Sequence, residues 1–241
     1  MAKSFLIDTT LCTGCRGCQV ACKQWHDLPA DPTANMGSYQ NPQDLSFTTY
    51  KLVRMQEHVT EDGLKWLFFP EQCRHCIDAP CEATAGEPTA VFTNPRTGAV
   101  LYTAITKELP AEEIIESCPY NIPRMAPDGT LAKCDMCQDR VDNGMLPACV
   151  KTCPTGAMSF GERDEIVEMA NSHLMMARKK FKNANLIDVD TIRVIYLVGF
   201  KPELYHGFAM ASNAEIGITR HMALQRMFRP FKRAGAQLMR G

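Results

Sequence analysis

The placement of the cysteines constrains this chain more than any other feature. Twelve occur in 241 residues, gathered in three runs with Cys118 alone between the second and third. The first run is Cys12-x2-Cys15-x2-Cys18-x3-Cys22 and the second is Cys73-x2-Cys76-x4-Cys81. The third is Cys134-x2-Cys137-x11-Cys149-x3-Cys153, followed by Pro154. A disulfide framework is not spaced this way, because C-x2-C pairs repeated so densely suit a shared metal centre better than mutual pairing. Zinc ribbons do use paired C-x2-C units. Cys73 with Cys76, or Cys134 with Cys137, therefore admits a zinc site when taken alone. The four-cysteine run at the start is not a usual zinc spacing.

A cubane [4Fe–4S] cluster offers four irons to four thiolates. A tight C-x2-C-x2-C loop wraps three corners of one cube while its backbone N–H groups point at the sulfides. The cysteine three residues on lies on the departing helix and reaches a neighbouring cluster. The first run has this ferredoxin spacing, departing from it only in that Lys23 rather than proline follows Cys22. If the first and third runs form one two-cluster module, Cys12, Cys15 and Cys18 take Cys153 as their fourth ligand. Cys134, Cys137 and Cys149 then take Cys22. Cys73, Cys76 and Cys81 remain for Cys118, which precedes Pro119 as the last cysteine of a ferredoxin run does. Residues 82–117 contain no cysteine, and the position four after Cys81 is Ala85. The twelve cysteines thus divide into three complete sets with none left over, and three [4Fe–4S] clusters are the expected cofactors.

Little else in the sequence carries chemistry. A net charge of −1 gives no reason to expect nucleic acid as a partner. No stretch approaches the roughly 18 apolar residues that cross a bilayer; the longest, 194–200, is strand-sized. The first residues lack a basic region followed by an apolar segment, so no secretion signal of the chain's own is expected. There is no phosphate-binding glycine loop, no G-x-S-x-G and no local nucleophile–base pair. No catalytic residue is expected, and the chain reads as a wire rather than a catalyst. Arg74, His75, Lys23 and Lys133 lie between or beside the cysteines, where a cation would raise a cluster's reduction potential; ordinary surface charge is the competing explanation. His26, His58, His173 and His206 show no metal spacing with one another.

Around the cysteines, residues 4–7 and 66–69 predict strands leading into the first and second runs. Residues 29–45 predict a long loop, 94–98 a turn and 99–102 a returning strand. Ile166, Ala170, Leu174, Ala177 and Phe181 recur at helical spacing over 164–181, and 193–198 predicts a strand. The expected fold is α+β, with two ferredoxin-like [4Fe–4S] modules related by a pseudo-twofold axis. Residues 1–30 with 125–160 make the two-cluster module, and 31–124 form an inserted one-cluster module. Residues 161–241 make a helical C-terminal extension that covers the core or clamps a partner. Its end is basic, with Arg220, Arg226, Arg229, Lys232, Arg233 and Arg240 and no acidic residue beyond Ile218.

The double-ferredoxin arrangement with C-P-Y-x-I-P at 118–123, K-C-D-M-C at 133–137 and P-A-C-V-K-T-C-P-T-G-A at 147–157 resembles the iron–sulfur subunits that partner molybdenum or tungsten bis-pterin oxidoreductases. That family usually has four cluster motifs, and this sequence looks like a branch that has lost one. The segment 15–25 (CRGCQVACKQW), the segment 50–54 (YKLVR) and the segment 66–76 (WLFFPEQCRHC) are similar to the small subunit of soluble formate dehydrogenases of sulfate-reducing bacteria. The resemblance spans roughly residues 3–210. It implies a large subunit that holds the Mo or W bis-pterin cofactor and oxidises formate to CO2. Electrons would then pass through the three clusters of this chain to an acceptor such as a cytochrome c, or run in reverse. Membrane-bound members add a C-terminal transmembrane helix, which is not evident here. Relatives are commonly periplasmic, exported on the large subunit's twin-arginine signal. The equivalent subunit of a thiosulfate, polysulfide, sulfoxide or nitrate reductase is the alternative, though those usually keep the fourth cluster. A free-standing ferredoxin-like carrier is disfavoured by the chain's length.

Overall fold

The computed structural model describes residues 2–35, 37–61 and 63–211. The basic residues from Arg220 to Arg240 lie outside them. The first element is β1 (Lys3–Asp8), whose last five residues are all buried, and the chain enters α1 (Gly17–Trp25) directly after the first cysteine loop. A long irregular segment, as the Pro- and Asn-rich 29–45 stretch predicts, leads to a hairpin of β2 (Leu52–Thr60) and β3 (Gly63–Glu71). Short elements follow: α2 (Pro80–Ala85), β4 (Val91–Thr93) paired with β5 (Val100–Tyr102), a 3-10 turn at Ala104–Glu108 and α3 (Ala111–Glu116). The ribbon of β6 (Arg124–Met125) and β7 (Leu131–Ala132) delivers the chain to the third run. There α4 (Gln138–Asp142) and α5 (Ala148–Lys151) frame the cysteines. The described chain closes with β8 (Met158–Glu162), α6 (Arg163–Arg178), β9 (Asn185–Ile187), β10 (Val194–Val198) and a 3-10 turn at Pro202–Leu204.

One four-stranded sheet, in the order β8-β1-β10-β9, positions the rest. β1 runs antiparallel to β8, with Phe5 opposite Phe160, and parallel to β10, with Phe5 opposite Val194. All five residues of β10 are buried, as expected of a strand covered on both faces. The period of two sorts its side chains cleanly. Leu6, Ile195 and Leu197 pack with Ile166, Ala170 and Ala177 of α6. Phe5, Ile7, Val194, Tyr196 and Val198 face the other way and pack with Cys18, Met136, Cys149 and Phe69. The sheet therefore separates a helix-covered side from a side that carries the cysteine loops.

The helix expected over 164–181 and the strand expected over 193–198 are both present, nearly to the residue. Their role differs from the expectation of a C-terminal extension lying over a finished core. β8, which spans the expected boundary at 161, and β10 are the two strands that flank β1. The physical reason is exposure: without them β1 would present unpaired backbone on both edges. The described part of this segment holds one α-helix and three strands or parts of strands, so it is mixed rather than helical.

Candidate functional site: three thiol-lined sites

Three of the four C-x2-C pairs turn in the same way, Cys15-x2-Cys18 being the exception. Gly14, His75 and Met136 stand immediately before Cys15, Cys76 and Cys137, and all three have positive φ (68°, 45° and 68°). A left-handed residue there folds the loop back so that successive N–H groups converge on one point, a shape that favours bound anionic sulfur. The His75 N–H donates to Cys73 Sγ (3.4 Å) and the Met136 N–H to Cys134 Sγ (3.5 Å). The Cys-Pro turns repeat a second pattern: Asn121, three after Cys118, and Gly156, three after Cys153, are both left-handed. Among these cysteine turns, only at Gly14 does packing require glycine. A Cβ there would lie 2.8 Å from the Phe68 ring.

The structure brings the sequence-predicted cysteines together in groups. Cys73, Cys76, Cys81 and Cys118 line one cavity with Arg74, Val100, Tyr102, Tyr120 and Lys133. The Cys118 thiol is pushed up to about 12, first by burial and then by the neighbouring Cys81 and Cys73. Burial raises the Cys12 thiol, and Cys153 and Cys15 add to it. Cys18 is pushed up to about 12 by burial, with Cys149, Cys12 and Cys15 raising it further. For Cys134 burial acts first and Cys22 next, while Cys137 is raised by burial and by Cys149 and Cys22. All twelve are free thiols, and exposure differs among them: Cys15 is exposed, whereas Cys81, Cys134, Cys137 and Cys149 are buried.

This pattern is a fit test for a metal centre. Buried and half-buried thiols whose ionised forms repel one another are poor thiolates on their own, so a group bringing positive charge is what the donor sets need. Sulfur donors in fours, with backbone N–H groups aimed at them, match the demands of an iron–sulfur cube.

The comparisons with known proteins agree with that chemistry. Residues 64–163 match the family model described as a 4Fe-4S dicluster domain. The formate dehydrogenase beta subunit of Megalodesulfovibrio gigas is 52% identical over 215 residues, covering 88% of this chain and all of the relative. The chain belongs to the family of formate dehydrogenase beta subunits. A relative in Nitratidesulfovibrio vulgaris, formate dehydrogenase 2 subunit beta (cytochrome c-553), is 50% identical over 87% of this chain and 99% of its own length. The formate dehydrogenase-O iron–sulfur subunit of Escherichia coli is 37% identical over 89% of this chain and 72% of its own length. Among the described residues, no helix is long and apolar enough to cross a membrane.

For a formate dehydrogenase beta subunit, the charges around the thiols are the part that spacing alone does not place. Arg74 and His75, singled out from the sequence, are fully buried rather than surface charges. Arg74 donates to the carbonyls of Gln72 (2.7 Å) and Ala209 (3.3 Å) and lies over the Tyr196 ring at 4.4 Å. His75 Nδ1 accepts from the Val100 N–H at 3.0 Å, and burial holds the ring neutral by pushing its pKa well below the usual value. Lys133 is buried over the Tyr102 ring, 4.5 Å away. Lys23, by contrast, pairs with Asp31 at 2.8 Å and ties down the irregular segment. His26, expected to be unremarkable, sits against the Cys22 carbonyl (2.8 Å) and Asp135 (3.0 Å). His58, His173 and His206 bond to the Leu204 carbonyl, Asp8 and Glu71 respectively, away from the thiols. Lys51 was visible only as part of the YKLVR motif, and its complete burial has no signature in hydropathy.

Proposed function

We propose that this chain is the electron-transfer subunit of a formate dehydrogenase, carrying electrons from formate oxidation in a Mo or W bis-pterin large subunit to an external acceptor such as a cytochrome c. The reading is carried by one observation: twelve free thiols, four of them lining one cavity, in a chain with 52% identity to a formate dehydrogenase beta subunit. The proposed ligand sets are Cys12, Cys15, Cys18 and Cys153; Cys134, Cys137, Cys149 and Cys22; and Cys73, Cys76, Cys81 and Cys118. When bound, each [4Fe–4S] cluster supplies a one-electron couple.

The chain's own residues set the conditions. The left-handed turns at Gly14, His75 and Met136 hold their C-x2-C pairs open towards one point, and N–H donors at Cys73 and Cys134 favour electron-rich sulfur. Ala79, Val91, Val100 and Ile114 exclude water around Cys81, while Leu52, Tyr120, Ile122 and Ile192 do so around Cys73 and Cys134. The same proposal takes the fold as a two-module ferredoxin-like plan, with residues 31–124 as the inserted module. Assembly as a heterodimer in the periplasm, exported with the large subunit, belongs to the same proposal.

The test is to isolate the native complex anaerobically through a tag on this chain, add formate, and follow cluster reduction by absorbance and EPR. Formate-dependent reduction with a large pterin-containing subunit present is the expected result. Clusters that reduce with dithionite but never with formate would overturn the assignment.

A further inference from the structure

Lys51 precedes β2 and is fully buried, with its ammonium donating to the Gln72 side-chain carbonyl. Among the described residues it forms no ion pair with a carboxylate. A buried, unpaired ammonium costs several kcal/mol unless nearby negative charge offsets it. The packing shows where that charge lies. Leu52, the next residue, packs with Cys73 and Cys134, and Val53 packs with Cys18 and Cys149. The Val53 N–H is in turn held by the side chain of Gln19, next to Cys18, at 3.2 Å. The chain here thus runs among the thiol sets, and the sulfurs whose charge reaches the Lys51 ammonium, those of Cys149, Cys18 and Cys134, belong to the first and second. Burial disfavours its charged form, and negative charge at Cys149, Cys18 and Cys134 is what favours it.

The other buried cations are satisfied differently, Arg54 by the carboxylates of Asp44 and Glu71. Arg74 has backbone carbonyls and three aromatic rings around it. Lys133 donates to the carbonyls of Val100 and Cys134 and stands beside Cys81 of the third set. Lys51 has one side-chain amide and thiolates.

We propose that Lys51 is a positioning residue for electron transfer, a fixed positive charge shared by the first and second thiolate sites that raises the reduction potential of both. A thiolate-bound [4Fe–4S] centre becomes more negative on reduction, so a buried cation beside it favours the reduced form. Because Lys51 faces ligands of two sites, one charge shifts both potentials in the same direction, while the third site lies beside Lys133 and Arg74. The inference rests on the three-cluster reading above.

The experiment uses the whole complex carrying Lys51→Met, with iron counted before each EPR-monitored redox titration. The iron count tests the cluster reading, and the potentials test Lys51. With full iron, two of the three midpoints should move to lower potential while the third stays, and Lys51→Arg should retain the native values. Unchanged midpoints, or an equal shift of all three, would overturn the proposal. If Lys51→Met loses iron, Lys51→Gln, which keeps a donor for Gln72, is read in the same way. Loss of iron from both, with Lys51→Arg loaded and unshifted, would make the residue one of assembly and also overturn the proposal.

Discussion

The first thiol set and the third are built on the same C-x2-C turn but in opposite settings. Cys12 and Cys15 lie on the loop that leaves β1 of the four-stranded sheet, Cys18 lies in the first turn of α1, and Cys15 is exposed. Cys73, Cys76, Cys81 and Cys118 line a cavity whose walls include the short helix α2, the three-residue strand β5 and the cations Arg74 and Lys133. The first set is thus mounted on a sheet that has its own core, with α6 on the far side. The third set is itself the centre of its module, since the surrounding apolar cluster is small and includes Cys81. One loop geometry serves both, and the surroundings decide how much of the fold depends on the metal.

The largest expected effect sets these two regions directly against each other. Cys118→Ser and Cys15→Ser should each cost about four of twelve irons. Cys118→Ser should also open the stretch from about residue 77 to 132 to limited proteolysis, because that module has little else at its centre. Cys15→Ser should leave the cleavage pattern native. Identical patterns for the two variants would remove the contrast. Access gives a second expectation: under a mild oxidant or an iron chelator, about a third of the iron should leave first, and Cys15 should be among the first thiols to label. Simultaneous release of all the iron would mean that exposure does not distinguish the sites.

The loops themselves allow a finer comparison. His75 and Met136 adopt the left-handed conformation with side chains, at a cost of about 1–2 kcal/mol each. Gly14 cannot take one cheaply because of Phe68. Gly14→Ala should therefore destabilise the first loop by about 1–3 kcal/mol, and Phe68→Ala should recover part of it in a double-mutant cycle of denaturation midpoints. Additive costs would show that the ring is not the obstacle.

The smallest effect concerns the segment joining the two regions. Burial would raise the Asp31 pKa, but the Lys23 ammonium and the hydroxyls of Thr49, Ser46 and Thr48 hold it below the usual carboxylate range. A lowered folded pKa contributes stability that is fully present above the unfolded value of about 4 and is lost as pH falls towards the folded one. Asp31→Asn should lower the melting temperature by a few degrees at pH 7, with the difference shrinking below about pH 4. A constant difference across that range would exclude the ionised carboxylate as its cause.

The contrast also marks what the sequence makes legible. Local spacing carries the turns, so grouping Cys73, Cys76 and Cys81 with Cys118 needed only counting and a Cys-Pro pattern. The helix over 164–181 was legible because its apolar residues repeat at helical intervals. The place of β10 was not, because a parallel pairing of Phe5 with Val194 spans nearly the whole chain and leaves no local mark. Lys51 was missed for a related reason: a lysine reads as surface, and only the packing of Leu52 and Val53 against cysteines from three runs shows that it is buried.

The most direct test is a metal and acid-labile sulfide analysis of this subunit, separated anaerobically from its complex. Three cubane sites predict about twelve irons and twelve sulfides per chain, with no stoichiometric zinc. Zinc bound at the C-x2-C pairs, or iron and sulfide enough for only two cubes with four thiols still free to alkylate, would contradict it.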